Sequence, residues 1–430
     1  MLKKPAIRPP FLWVPSLYVA EGIPYIMAMT VSVILYKRLG VSNTDIALYT
    51  SWFYLPWVIK PLWSPLVDIY RTKRGWIAAM QLLISLSFFA IAFFISSAGF
   101  FPYTLFFFWI MAFSSATHDI AADGFYMLGL REDEQAAYVG VRTAFYRVAT
   151  IAAKGGLVML AGYLEMRGMT IASAWSITFF ILAVFFTLLS LYHFFLLPFP
   201  VHDHPTSTAS TQQRIANFFH ILLIFFKKKD IIPLIAFFMF YRFAEAQLVK
   251  MVAPFLLDPP AQGGLGLTTG EVGFVYGTVG VVALMAGGLI GGWAVYKRGL
   301  KYWLWFMACA MHLPDLIFVY LAYALPKNLL IVNLAVAIEQ FGYGFGFTAF
   351  TMVMIRAAEG EYKTVHYAIG TGLMALGMML PAMSSGWLQD HLGYRLFFIW
   401  VALSTIPGFL VTALINIDPS FGKRVEKCSP

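Results

Sequence analysis

Twelve charged side chains stand inside stretches of this chain that are otherwise apolar. The acids are Glu21, Asp119, Asp123, Glu245, Asp315 and Glu339, and the bases are Lys60, Arg142, Arg147, Lys154, Arg242 and Lys250. A charge in hydrocarbon costs about 2.5–3.5 kcal/mol on insertion scales, so each is half of an ion pair or part of a site that needs it. Carboxyl groups in a cavity of low dielectric can take up and release protons, and a lysine or arginine there can bind an anion.

Glu21 lies about ten residues into its apolar stretch, near the bilayer midplane at about 1.5 Å per residue. Gly22 and Pro24 follow it, so the helix can bend there and present backbone groups. It has no basic neighbour on its own helix, which makes it the first candidate for a coupling proton; Asp119, Asp123 and Glu245 are the others. Glu245 has Arg242 three residues away on the same face. Asp123 lies about 10 Å in from one end of its helix, and Arg142 and Arg147 about 6 and 13 Å in on the next, so a structural ion pair with either is expected. Lys60, in a Pro-interrupted stretch, is expected to bind an anion, with snorkelling to the interface as the plainer reading. His118 and His312 could carry protons, although a lone membrane histidine more often bonds across helices.

Other chemistries find no support. The formal net charge of +9 comes from basic residues spread along the chain, not from one patch, so nucleic acid is not the expected partner. Cys309 and Cys428 have neither disulfide nor metal-ligand spacing, and no phosphate-cradling Gly-x-x-x-x-Gly-Lys-Ser/Thr occurs. His202-Asp203-His204 could hold a metal, but its Ser, Thr and Pro neighbours read as a solvated linker. A membrane enzyme would have to run on His118, Asp119 and Asp123 with no nucleophile beside them. No cofactor is expected. An ion gradient, of protons or of sodium, is the remaining energy source.

The elements that hold these residues follow from hydropathy. Of 430 residues, 60% are apolar and 12% charged, and the apolar ones gather in runs of roughly 20, the length of helix that crosses about 30 Å of hydrocarbon. Twelve runs are marked, at about 11–36, 44–68, 76–97, 102–130, 138–163, 170–197, 231–257, 271–296, 302–324, 329–355, 365–389 and 393–417. Continuous rather than alternating apolarity predicts an all-α membrane protein. With both termini cytoplasmic, inner segments carry about 19 Lys and Arg against about 5 outside.

The chain also repeats. Ala20-Glu21 matches Ala244-Glu245, Leu39-Gly40 through Asp45 matches Leu265-Gly266 through Glu271, and Gly162-Tyr163-Leu164-Glu165 matches Gly386-Trp387-Leu388-Gln389, at an offset of about 225 residues. Ser42 with Asp45 and Thr268 with Glu271 have capping-box spacing. Two pseudo-symmetric six-helix bundles are expected, 1–197 and 230–430, joined by a cytoplasmic linker, 198–229. Its apolar part, Ile215 to Phe226, ends at Lys227-Lys228-Lys229 like an interfacial helix. This parallel arrangement is similar to that of major facilitator proteins.

Two motifs narrow the resemblance. Lys60-Pro61-Leu62-Trp63-Ser64-Pro65-Leu66-Val67-Asp68 resembles the Lys-x-Leu-Trp-[Ala/Ser]-Pro-x-x-Asp run of AmpG-type muropeptide permeases and the related acetyl-CoA transporters. His118-Asp119-Ile120-Ala121-Ala122-Asp123-Gly124 is similar to their Gln-Asp-Ile-Ala-x-Asp run, with His in place of Gln. Asp68, Arg71, Lys73 and Arg74 resemble the facilitator gating loop, but Ser64 replaces its leading Gly and the second half has Ala294 where the Asp belongs. The resemblance implies a secondary transporter, a monomer in the inner-membrane bilayer, importing anhydro-muropeptides from periplasm to cytoplasm with protons. Lys60, Arg147, Arg242 and Glu339 would then meet the polar groups of this sugar-peptide, and Tyr25 and Trp57 its sugar rings. A carrier of acetyl-CoA or another anionic metabolite is the alternative.

Overall fold

A computed structural model describes residues 9–200, 203 and 220–424. All regular elements among them are helical. Ten helices are long and apolar enough to cross a membrane: α1 (Pro10–Arg38), α3 (Lys73–Phe94), α4 (Phe100–Gly129), α5 (Asp133–Met166), α6 (Ile171–Leu196), α7 (Ile231–Leu257), α8 (Thr269–Arg298), α9 (Leu300–Ala324), α10 (Leu329–Ala358) and the run Val365–Leu414. The protein is therefore a multi-pass membrane protein. Large side chains exposed on these helices, such as Phe93 and Ile232 at 77%, fit a solvent of lipid rather than water.

Two stretches depart from the expected runs for local reasons. The second, α2, is Asn43–Ser51 and Leu55–Tyr70 joined through a 3-10 turn at Trp52–Tyr54. At the far end, α11 (Lys363–Leu403) is broken at Gly393, whose φ of 69° and ψ of 165° are outside any helix, and α12 is Ile406–Leu414.

Helix ends follow side-chain chemistry. Ser42 accepts from the Asp45 N–H at 3.1 Å, and Thr268 and Glu271 form a reciprocal capping box. The glycines two residues before these caps, Gly40 and Gly266, both adopt positive φ (80° and 68°), so the repeated Leu-Gly places a left-handed residue at the same point in both copies. Asp203, expected in a solvated tract, is instead buried and accepts from the N–H groups of Lys73 (2.6 Å) and Arg74 (3.1 Å), capping α3. Most of the expected linker, 204–219, lies outside the described residues; 220–226 is helical, and Lys228 donates to the carbonyls of Ala357 and Glu359 at the end of α10.

Contacts divide the chain into two compact units, Met1–Gly40 with Ile59–Phe219, and Val41–Val58 with His220–Pro430. In the first, Trp13, Val14, Leu17 and Tyr18 pack with Val67, Ile77, Phe125, Tyr126 and Leu197, with Trp13 edge-on to Phe125 at 5.2 Å. In the second, Phe237, Phe238 and Tyr241 stack with Phe350 at 5.7–6.0 Å. Residues 41–58 group with the second unit through α11: Asn43 Nδ2 donates to Gln389 Oε1 (2.5 Å) and Tyr394 Oη (3.2 Å), Tyr394 donates to Asp258 (2.6 Å), and Thr44 Oγ1 donates to Asp390 (2.6 Å).

Candidate proton and substrate site

The first unit gathers its charges where α1 meets α5. Gly22 makes that approach possible: a Cβ there would lie 2.9 Å from the Ala149 Cβ and 3.3 Å from the Tyr146 carbonyl oxygen. An ion pair, Arg38 to Glu165 at 2.7 Å, ties the far end of α1 to α5. Pro24 removes one helical hydrogen bond just past Glu21, and a π-helical turn follows at Met27–Val31; another interrupts α5 at Ala152–Leu157. Glu21 thus sits beside the least regular stretch of α1.

Four helices contribute charges. Lys60 Nζ of α2 pairs with Asp119 Oδ2 of α4. Arg142 Nη2 of α5 lies 2.8 Å from Asp123 Oδ1 of α4, and the Tyr18 hydroxyl donates to the same oxygen at 3.2 Å. The Arg142 guanidinium lies over the rings of Tyr18 (4.5 Å) and Tyr126 (5.4 Å), so aromatic faces as well as a carboxylate hold it. Glu21 feels the charges of Asp119, Asp123, Arg142 and Lys60, yet it makes no ion pair among the described residues, and its buried Oε2 has no hydrogen-bond partner there. The group holds three carboxyls against two bases, and Glu21 is the odd one.

Other expected site residues fall elsewhere. Arg147 is half-buried on α5, away from any ion pair among the described residues; Tyr25 is half-buried on α1. Trp57 is half-buried in α2 within the part that groups with the second unit. In that unit Arg242 lies over Tyr343 (5.2 Å) and Phe347 (4.9 Å) and donates to the Tyr343 hydroxyl. Glu245 and Glu339 are buried, and the Gln340 amide donates to both Glu339 oxygens at 3.1 and 3.0 Å. Lys250, also buried, donates to Thr50 at 2.9 Å.

Of the gating-loop residues, Arg71 is exposed, Lys73 is buried with its stem against Gly124, and Arg74 stacks on Phe199 at 3.9 Å; the Asp68 side chain lies outside the described part. His118 is fully buried in a polar chain across four helices: Gln81 Nε2 to His118 Nε2, Gln81 Oε1 to His193 Nδ1, and Ser16 Oγ to His193 Nε2, each at 2.9 Å. Sequence reasoning missed Gln81 and His193; polar residues recurring in apolar helices were the available signal. Among the described residues no cluster of His, Cys, Asp or Glu could hold a metal ion.

The family model described as Major Facilitator Superfamily matches residues 17–380. The chain is 25% identical over 406 residues to the anhydromuropeptide permease of Escherichia coli (strain K12), covering 91% of this chain and 77% of that protein. It is 22% identical over 411 residues to a Rickettsia conorii protein named "Putative transporter AmpG 4", covering 93% and 94%. A solved D-xylose-proton symporter superposes with a TM-score of 0.70 at 13% identity, over 96% of this chain and 99% of that one. These relatives and structural neighbours are transporters, not enzymes.

Proposed function

The chain belongs to the major facilitator superfamily, an AmpG-type transporter and not an enzyme, and from that premise we propose that it imports anhydro-muropeptides from periplasm to cytoplasm by proton symport. The observation that carries the proposal is the unequal charge group of the first unit. A proton on Glu21 balances three carboxyls against two bases. A carboxylate of the arriving peptide competes with Asp119 for Lys60, and an Asp119 set free beside Glu21 and Asp123 needs a proton in its turn. Substrate and proton then load together. In the first unit Arg147 and Tyr25, and in the second Arg242, Glu339 and Trp57, are further candidates, the charged ones for polar contacts and the aromatic ones for sugar rings.

In this reading the inner membrane is spanned twelve times, in six-helix bundles 1–197 and 230–430. Interrupted α2 and the two parts of α11–α12 on either side of Gly393 complete the count, and both termini lie in the cytoplasm. The Asp68 to Arg74 segment is the moving inner loop. Support comes from similarity over nine-tenths of the chain to a permease of that substrate.

The experiment is uptake of a defined anhydro-muropeptide by proteoliposomes with an acidic exterior. Accumulation should collapse on adding a protonophore. Glu21→Gln should abolish uphill uptake while sparing exchange of substrate across the membrane; full accumulation in that variant rules out its coupling role. Uptake of acetyl-CoA in place of the muropeptide would move the substrate assignment to the sister branch.

A further inference from the structure

α9 is not continuous. It breaks at Leu313–Asp315, a 3-10 turn containing Pro314, and resumes at Leu316. The break packs against α10 at Gly342, where a Cβ would fall 2.0 Å from the Ala310 carbonyl oxygen and 3.0 Å from Pro314 Cγ. Only a glycine lets the two backbones come so near, and the approach carries Asp315 into the packed interior. Asp315 is 0% exposed, and neither of its oxygens has a hydrogen-bond partner among the described residues.

Its electrical surroundings are all acidic. The charges acting on Asp315 are those of Glu245 on α7 and Glu339 on α10, the latter one turn before Gly342. On α9 itself, His312 packs against Phe409 (5.1 Å) and Tyr241 (5.6 Å). Tyr276 of α8 feels Glu339 and Glu245 as well. Arg395 of α11 reaches α9 at the Ala322 carbonyl, seven residues beyond Asp315, or about 10 Å along the helix. Arg242 of α7 is held over the α10 aromatics, and Lys250 donates to Thr50.

A carboxylate at this position would be stripped of water, denied a donor and repelled by two like charges. The repulsion and most of the cost of losing water act on the charge, and a bound proton removes that charge, leaving a neutral group that is far easier to bury. We propose that Asp315 carries a proton and that Asp315, Glu245 and Glu339 form a second proton-binding cluster, in the second unit, separate from the Glu21 group. This extends the proton-coupled reading above, but occupancy by the proton does not depend on which substrate is carried.

Infrared spectroscopy tests it on the full-length protein in lipid nanodiscs at neutral pH, through the carbonyl stretch of protonated carboxyl groups. Wild type should show such a band; Asp315→Asn should lose a component of it that Glu21→Gln keeps. Asp315→Asn should also melt within a few degrees of wild type, because a neutral amide replaces a neutral acid. A band unchanged in Asp315→Asn overturns the proposal. Should that variant not fold, the Glu21→Gln spectrum decides, since a protonated-carboxyl band absent from it overturns the proposal too. Absence of muropeptide uptake with the Asp315 band intact would sink the substrate reading alone.

Discussion

Asp123 is shared between Arg142 and Tyr18, and about a third of each ionic side chain remains exposed, 39% for Asp123 and 31% for Arg142. Solvent screening keeps such a pair modest, so a double-mutant cycle of Asp123→Asn with Arg142→Gln should return a coupling of about 1 kcal/mol in thermal stability. Transport should fall in each single variant, because Asp123→Asn leaves two carboxyls against two bases and Arg142→Gln three against one, and either changes the charge that a proton on Glu21 must balance. A coupling indistinguishable from zero would mean that Arg142 is held by the rings of Tyr18 and Tyr126 alone. The charged residues themselves were legible, since a charge in an apolar run has a cost that demands a reason. Their pairing was not. Depth along a helix left Arg142 and Arg147 both within reach of Asp123, and the azimuth that selects Arg142 depends on how α5 is rotated against α1. The partner of Lys60 was equally hidden, because Asp119, 59 residues later, could not be placed opposite it.

At the level of elements, the contact of α1 with α5 rests on a missing side chain. Gly22→Val would drive a branched Cβ into Ala149 and the Tyr146 carbonyl, at a cost of about 1–3 kcal/mol. The expected result is a lower melting temperature, with Gly22→Val/Ala149→Gly recovering part of the loss because the nearer obstacle is the Ala149 methyl. No recovery would place the strain on the backbone oxygen. Continuous apolar runs announced most helices, and the Ser42 and Thr268 caps announced two of their starts. The sequence did not announce the π-helical turns at Met27–Val31 and Ala152–Leu157, which have no composition of their own, or the 3-10 turn at Trp52–Tyr54, where three aromatics look like one more turn of helix. Asp203 was missed for a related reason: a carboxylate in a polar tract looks solvated until the helix it caps, 130 residues earlier, is folded beside it.

For the molecule as a whole, the proposed topology makes a plain demand on chemistry at the surface. Single cysteines at positions 204–210 should react with a membrane-impermeant thiol reagent only from the cytoplasmic side; labelling only from outside would reverse the orientation. The recurrence of Leu39-Gly40 as Leu265-Gly266 was visible because turns and caps keep their residues, and both glycines adopt positive φ. The grouping of residues 41–58 with the second unit was not visible, since Asn43 and Gln389 are 346 positions apart and share no repeating pattern. That separation has a consequence for biosynthesis. A ribosome adding about 5–20 residues per second needs roughly 20–70 s to travel from one to the other. Throughout that interval Asn43 and Thr44 lack Gln389, Tyr394 and Asp390, so the bonds that tie residues 41–58 to the second unit can form only once nearly the whole chain has been made.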